Sequence, residues 1–336
     1  MAPPDWTQTA LALGVAKFML IPLALVAILG LMLAWPPAQG PALDSLNAPF
    51  AAQSLQGLPA LAHYPGEDGQ PLAYRHYEGQ GKEKGSVVLL HGSSADSRSM
   101  HTLALALQRQ GLTVDALDLR GHGASGKRGH IADADQLSRD LRAFVAQENP
   151  PKPRLLVGFS SGGGLALHHA ARYAGDDFHG LILLAPFVKH DAPSTQANAG
   201  WVGMSLPRII ALTLLNDYLG ISRFNGLPVL RFALDDWGQQ HLTPVYDFNL
   251  MRAMQTGADW VTDIAALQLP VRVLVGQADA LMNPSGYAPM FASAPRGATI
   301  TRLPDLGHAE LILSPSATAA TAQAARNMIN ELSTTP

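Results

Sequence analysis

The sequence predicts an α/β fold with a largely parallel sheet, on three observations. From about residue 64 onward, short apolar runs alternate with longer stretches of helical periodicity, the pattern of strands and helices laid down in turn. Several of those runs are nearly unbroken, as expected of strands buried on both faces. One of them enters Gly158-Phe159-Ser160-Ser161-Gly162 and passes directly into a helical stretch.

The chain opens differently. Residues 18–35 carry no charge, and Lys17 is the only charge from residue 9 onward to that point. Roughly 20 apolar residues cross a bilayer, so 9–35 is expected to be a transmembrane anchor. Pro22 and Gly30 are tolerated in such helices, and Trp35 sits where an interfacial aromatic belongs. A cleaved signal peptide is the alternative, but its apolar region is usually about 7–15 residues, and no basic start is present. Lys17 is the only Lys or Arg before Arg75, which places the body on the extracytoplasmic side. Residues 36–63 then read as a tether, rich in Pro, Ala, Gly and Leu.

The body is expected over 64–335. Candidate strands are 72–77, 86–90, 113–119, 154–159, 180–185, 271–275 and 299–303. Helical stretches fall between them, at 99–110, 133–147, 161–173, 284–292 and 315–332. About 80 residues between Pro186 and Pro270 break this rhythm, far more than an ordinary connection. Nine of the 22 aromatic residues lie in 187–262. A helical cap at about 187–265 is expected, with two or three of the nine lining an apolar pocket and the rest packing the cap.

Composition narrows the function. With 23 Lys plus Arg against 26 Asp plus Glu, and only short basic runs at 82–84 and 127–128, no nucleic-acid partner is expected. At 47% apolar residues the chain is no disordered segment. The absence of cysteine removes disulfides, thiolate metal sites and a cysteine nucleophile. No metal-ligand spacing occurs among the 12 histidines, and His168 and His169, adjacent on one helical stretch, point apart.

The G-x-S-x-G makes Ser160 the candidate nucleophile. A sharp strand-to-helix turn lifts the hydroxyl above the sheet and aims the helix N-terminus at it. The backbone N–H of Ser161 would then face a developing oxyanion. His91-Gly92-Ser93-Ser94 follows another strand, and Ser93 is expected to give the second oxyanion N–H. Asp279, just past a strand, is the candidate acid, with Asp263, Asp191 and Asp305 as rivals. His308, after the last strand, is the candidate base. Gly121-His122-Gly123-Ala124-Ser125-Gly126 matches G-x-G-x-x-G, but no helix opens on it and its strand is not the first. It reads as a structural loop, and no cofactor is expected.

Together with Asp118-Leu119-Arg120-Gly121-His122-Gly123, these residues resemble the α/β-hydrolase superfamily, closest to its monoacylglycerol lipase and lysophospholipase-like branch, which includes serine aminopeptidases. The resemblance covers about 64–332. It implies an eight-stranded, mostly parallel sheet with a cap after the sixth strand. It also implies a triad, matched by Ser160, Asp279 and His308, with oxyanion donors matched by Ser93 and Ser161. The family often has His-Ser-Met-Gly around the nucleophile, where this chain has Phe159-Ser160-Ser161-Gly162. The expected activity is cleavage of carboxylic esters with an apolar acyl chain, lipid-like in kind. An aminopeptidase with an acidic recess such as Asp235-Asp236, an acyltransferase, and a tethered binding protein are the alternatives.

Overall fold

The structure is a computed structural model describing residues 6–81, 84–173, 177–196 and 200–334, with the backbone alone for 6–19 and 44–45. A helix, α1 (Trp6–Ala34), occupies the expected anchor and contains Pro22. Among the described residues, no helix is long and apolar enough to cross a membrane. The side chains of 9–19, the first part of the expected span, lie outside the described residues. The stretch read as a tether holds a second helix, α2 (Asp44–Ala51), whose Leu46 is buried in the main core.

Eight strands form the central sheet: β1 (Leu61–Pro65), β2 (Pro71–Tyr77), β3 (Ser86–Leu90), β4 (Thr113–Leu117), β5 (Arg154–Phe159), β6 (Gly180–Leu184), and, after an insertion, β10 (Val271–Gly276) and β11 (Ala298–Leu303). Their spatial order is β1-β2-β4-β3-β5-β6-β10-β11. From β4 to β11 all neighbours are parallel, whereas β2 runs antiparallel to both β1 and β4. Every residue of β3, β4, β5 and β6 is buried, which is why these runs show no polar alternation.

Helices α3 (His101–Gln108), α4 (Gln136–Glu148) and α5 (Ser161–Arg172) connect the early strands. The insertion holds three short antiparallel strands, β7 (Val202–Met204), β8 (Pro228–Phe232) and β9 (Val245–Asp247), with α6 (Leu206–Thr213), α7 (Asp236–His241), α8 (Phe248–Ala253) and α9 (Trp260–Ala266). The cap is therefore mixed, not purely helical as expected. Strands β7 and β9 span three residues each, too short to leave a period-2 signature. Helices α10 (Tyr287–Met290), α11 (Glu310–Leu313) and α12 (Pro315–Thr334) complete the chain.

Strand order reverses between β3 and β5, because β4 lies on one side of β3 and β5 on the other. At such a switch point the loops leaving the carboxyl ends of the strands diverge and open a crevice. Ser93, Ser160, Asp279 and His308 all lie on loops or turns that follow the carboxyl ends of sheet strands.

Candidate active site

Ser160 sits between β5 and α5 with φ +53° and ψ −122°, a conformation that costs a non-glycine residue on the order of 1–3 kcal/mol. The fold holds it there on three sides. Its N–H donates to the Leu184 carbonyl at 2.9 Å, and its own carbonyl accepts from the Gly163 and Phe187 N–H groups, each at 2.9 Å. The turn is too tight for side chains nearby: a Cβ on Gly162 would collide with the His91 carbonyl oxygen. Local sequence thus permits the strain, and neighbouring strands enforce it.

The loop after β3 packs directly against this turn. Ser93 Oγ donates to Ser161 Oγ at 2.9 Å, so the two residues expected to supply oxyanion N–H groups are neighbours. His91, entirely buried, pairs Nδ1 with the Gly92 carbonyl at 2.8 Å and accepts the Leu119 N–H on Nε2 at 3.2 Å. Burial lowers its pKa, and both ring nitrogens are used in holding the loop.

Asp279 and His308 meet across the loops after β10 and β11. His308 Nδ1 lies 2.7 Å from Asp279 Oδ2, while Asp279 Oδ1 accepts the Leu281 and Met282 N–H groups at 2.8 and 2.9 Å. An ionised carboxylate only accepts, so Nδ1 carries the proton and Nε2 is left as the basic nitrogen. Phe159, one of two departures from the family's usual sequence, packs its ring 4.8 Å from the His308 ring. Among the four acids considered, Asp279 is the one bonded to His308. Asp263 instead pairs with His168 at 2.8 Å, and Asp305 adopts φ +55° in the turn before His308. His169 faces Asp177 at 3.3 Å, so the two adjacent histidines do diverge. Among the described residues, no group of three or more His, Asp or Glu could hold a metal ion.

Ser160, His308, Phe159 and Leu281 open into one cavity of about 280 Å³. Trp201, Leu234, Trp237 and Leu242 of the cap line it, as do Leu46 and Phe50 of α2. Two of the nine aromatics in 187–262, Trp201 and Trp237, thus reach the cavity; Phe232, Tyr246 and Phe248 are buried in the packing instead. Asp235 lines it too, but Oδ1 accepts the Gly238 N–H at 2.7 Å and caps α7. That acid has a structural task.

Sequence reasoning missed one network. Tyr246, on β9 of the cap, accepts the Ser94 N–H on its hydroxyl at 2.7 Å. Its hydroxyl also lies 2.6 Å from His122 Nε2, and His122 Nδ1 faces the Arg120 carbonyl at 3.3 Å. Nδ1 therefore donates to that carbonyl, and the phenol donates to Nε2. Burial drives the His122 pKa well down and the Tyr246 pKa up, so both groups stay neutral. The glycine-rich loop that holds His122 also wraps the Asp118 carboxylate, which accepts the Ser97 and Ala124 N–H groups at 2.8 and 2.9 Å. Its signal in the sequence was the glycine pattern itself, which reads as a turn and hides the histidine's partner.

A largely parallel sheet with an inserted cap, a strained serine between strand and helix, and a His–Asp pair beside it define an α/β-hydrolase. Comparison with known proteins agrees. Residues 81–312 match the family described as "Serine aminopeptidase, S33", and the chain belongs to that family. It is 32% identical over 231 residues to a monoacylglycerol lipase of Mycolicibacterium smegmatis, covering 66% of this chain and 80% of the relative. Over 273 residues it is 27% identical to a rat monoglyceride lipase, covering 77% and 84%. Among solved structures, a soluble variant of the Saccharomyces cerevisiae monoglyceride lipase superposes with a TM-score of 0.64 at 18% identity, covering 84% of this chain and 99% of that one. The chain is a serine ester hydrolase of the monoacylglycerol lipase-like branch of the α/β-hydrolases.

Proposed function

We propose that the chain hydrolyses esters of lipid-like acyl chains, of the monoacylglycerol or lysophospholipid kind, through Ser160, His308 and Asp279. The observation that carries this reading is one apolar-walled cavity into which the strained Ser160 and the Asp279-paired His308 both open. Ser160 Oγ attacks the ester carbonyl as its proton passes to His308 Nε2. Asp279 keeps Nδ1 protonated and steadies the imidazolium. The N–H groups of Ser93 and Ser161 hold the tetrahedral oxyanion. The alcohol leaves with the proton from Nε2, giving the acyl-enzyme. Water then gives a proton to Nε2 and its oxygen to the acyl carbon; the acid departs and Ser160 regains its proton. No cofactor enters this scheme. The names of the two relatives, a monoacylglycerol lipase and a monoglyceride lipase, favour a lipid ester over a peptide, as does the capping task of Asp235.

In the same reading, 9–35 holds the enzyme on a membrane, with the body on the extracytoplasmic side. Support comes from the uncharged run 18–35 and from the exposure of Leu20, Leu23, Val26 and Leu31 along α1, apolar surface that a lipid phase would cover.

Hydrolysis of p-nitrophenyl esters from two to sixteen carbons by the full chain tests the activity. Turnover should peak at medium or long chains and fall about ten-thousandfold or more in Ser160→Ala. A peak at acetate would remove the lipid substrate; turnover that survives in Ser160→Ala would remove the mechanism.

A further inference from the structure

Helix α2 lies outside the residues that match the family, yet it forms part of the active-site cavity. Leu46 and Phe50 are four residues apart on it, so they share one helix face, and both line the cavity that holds Ser160 and His308. The helix is fastened at both ends. At its start, the Leu43 N–H donates to the Ala233 carbonyl at 3.0 Å, and the side-chain amide of Asn47, within the first turn, donates to the same oxygen at 3.0 Å. After it, Gln53 Nε2 donates to Thr102 Oγ1 at 3.2 Å. Ala233 immediately precedes the cap residues Leu234 and Asp235 in the cavity wall. Thr102 lies in the first turn of α3, the helix that follows the Ser93–Ser99 side of the same cavity. The clamp therefore ties α2 to the cap on one side and, on the other, to helix α3, which follows the loop expected to hold the oxyanion.

We propose that α2 is an acyl-selecting wall: Leu46 and Phe50 contact the substrate's apolar chain and set which chain lengths the cavity admits. This rests on the ester-hydrolase reading for the identity of the ligand. Asn47 also borders the cavity, but its amide is engaged with the Leu43 and Ala233 carbonyls, and Leu46 and Phe50 offer apolar contact there, which suits an alkyl chain. A neighbouring apolar side chain discriminates among alkyl substrates by added or missing methylenes.

Phe50 is only half-buried, so it can be changed with less risk to the fold than Leu46. In the full chain, Phe50→Ala should raise the ratio of kcat/KM for p-nitrophenyl hexadecanoate over butanoate by about tenfold, and Phe50→Trp should lower it by about tenfold. Circular dichroism checks that each variant is folded. Folded variants with the wild-type ratio would overturn the wall. A second measurement reads the wall without turnover: displacement of a fluorescent dodecanoate by fatty acids of graded length, in a Ser160→Ala background with and without the Phe50 changes. If esters prove inert but the ranking of fatty acids shifts with Phe50, the ester reading fails and the wall stands. If the ranking does not move, the wall fails whatever the esters do.

Discussion

Tyr246 links the cap to the loop after β3 and to His122 through a single hydroxyl. That oxygen satisfies the Ser94 N–H and the neutral His122 ring together, and Ser94 follows the residue expected to hold the oxyanion. Tyr246→Phe keeps the ring packing against Phe232, whose centroid is 4.7 Å away, but leaves two buried polar groups without a partner. Each such group costs about 1–3 kcal/mol. The variant should melt at a lower temperature, and its kcat should fall about tenfold with KM little changed, the mark of a positioning residue whose loss is felt in the transition state. A normal kcat with a lower melting temperature would confine Tyr246 to a structural role. The sequence could flag Ser160, Asp279 and His308 because each occupies a position next to a strand end. It could not flag Tyr246 or His122, because their partnership joins residues 124 positions apart.

At the scale of elements, the buried strands were the legible ones. Nearly unbroken apolar runs at 86–90 and 154–159 coincide with β3 and β5, since burial on both faces leaves no alternation to misread. β1 was missed: it is an edge strand with Leu61, His63 and Pro65 facing outward, and such mixed edges resemble loop sequence. The α2 segment was missed for another reason. Its eight residues carry Pro49 inside the helix and include the weak helix formers Asp44, Ser45 and Asn47, so local propensity says little, and packing against Ala233 and Thr102 decides its place. α1 carries its own prediction. Ser205 Oγ donates to the Trp35 carbonyl at 2.5 Å and Arg208 Nε to the Leu33 carbonyl at 2.7 Å, so the end of α1 is fixed to the cap while Leu20 through Leu31 are largely exposed. Cells expressing the full chain should retain it in the membrane fraction after a carbonate wash. Complete release by carbonate would remove the anchor.

At the scale of the whole molecule, the fold gathers the site by topology. Residues from four segments spread over more than two hundred positions converge because all follow the carboxyl ends of strands in one sheet. Order along the chain is therefore enough to nominate a serine, an acid and a histidine as candidates. The cavity's walls were not legible in the same way, because α2, the cap and the loop after β3 meet only through tertiary contacts. The cap's mixture of short strands and helices belongs to the same limit. The proposed mechanism requires that these converging segments make Ser160 a nucleophile activated by His308. Its most direct test is labelling of the full chain with an alkyl fluorophosphonate, followed by intact mass and peptide mapping. One adduct on the peptide that holds Ser160, absent in Ser160→Ala and formed about a thousandfold more slowly in His308→Ala, is the expected result. A folded chain that takes no adduct, or an adduct that persists in Ser160→Ala, would contradict it.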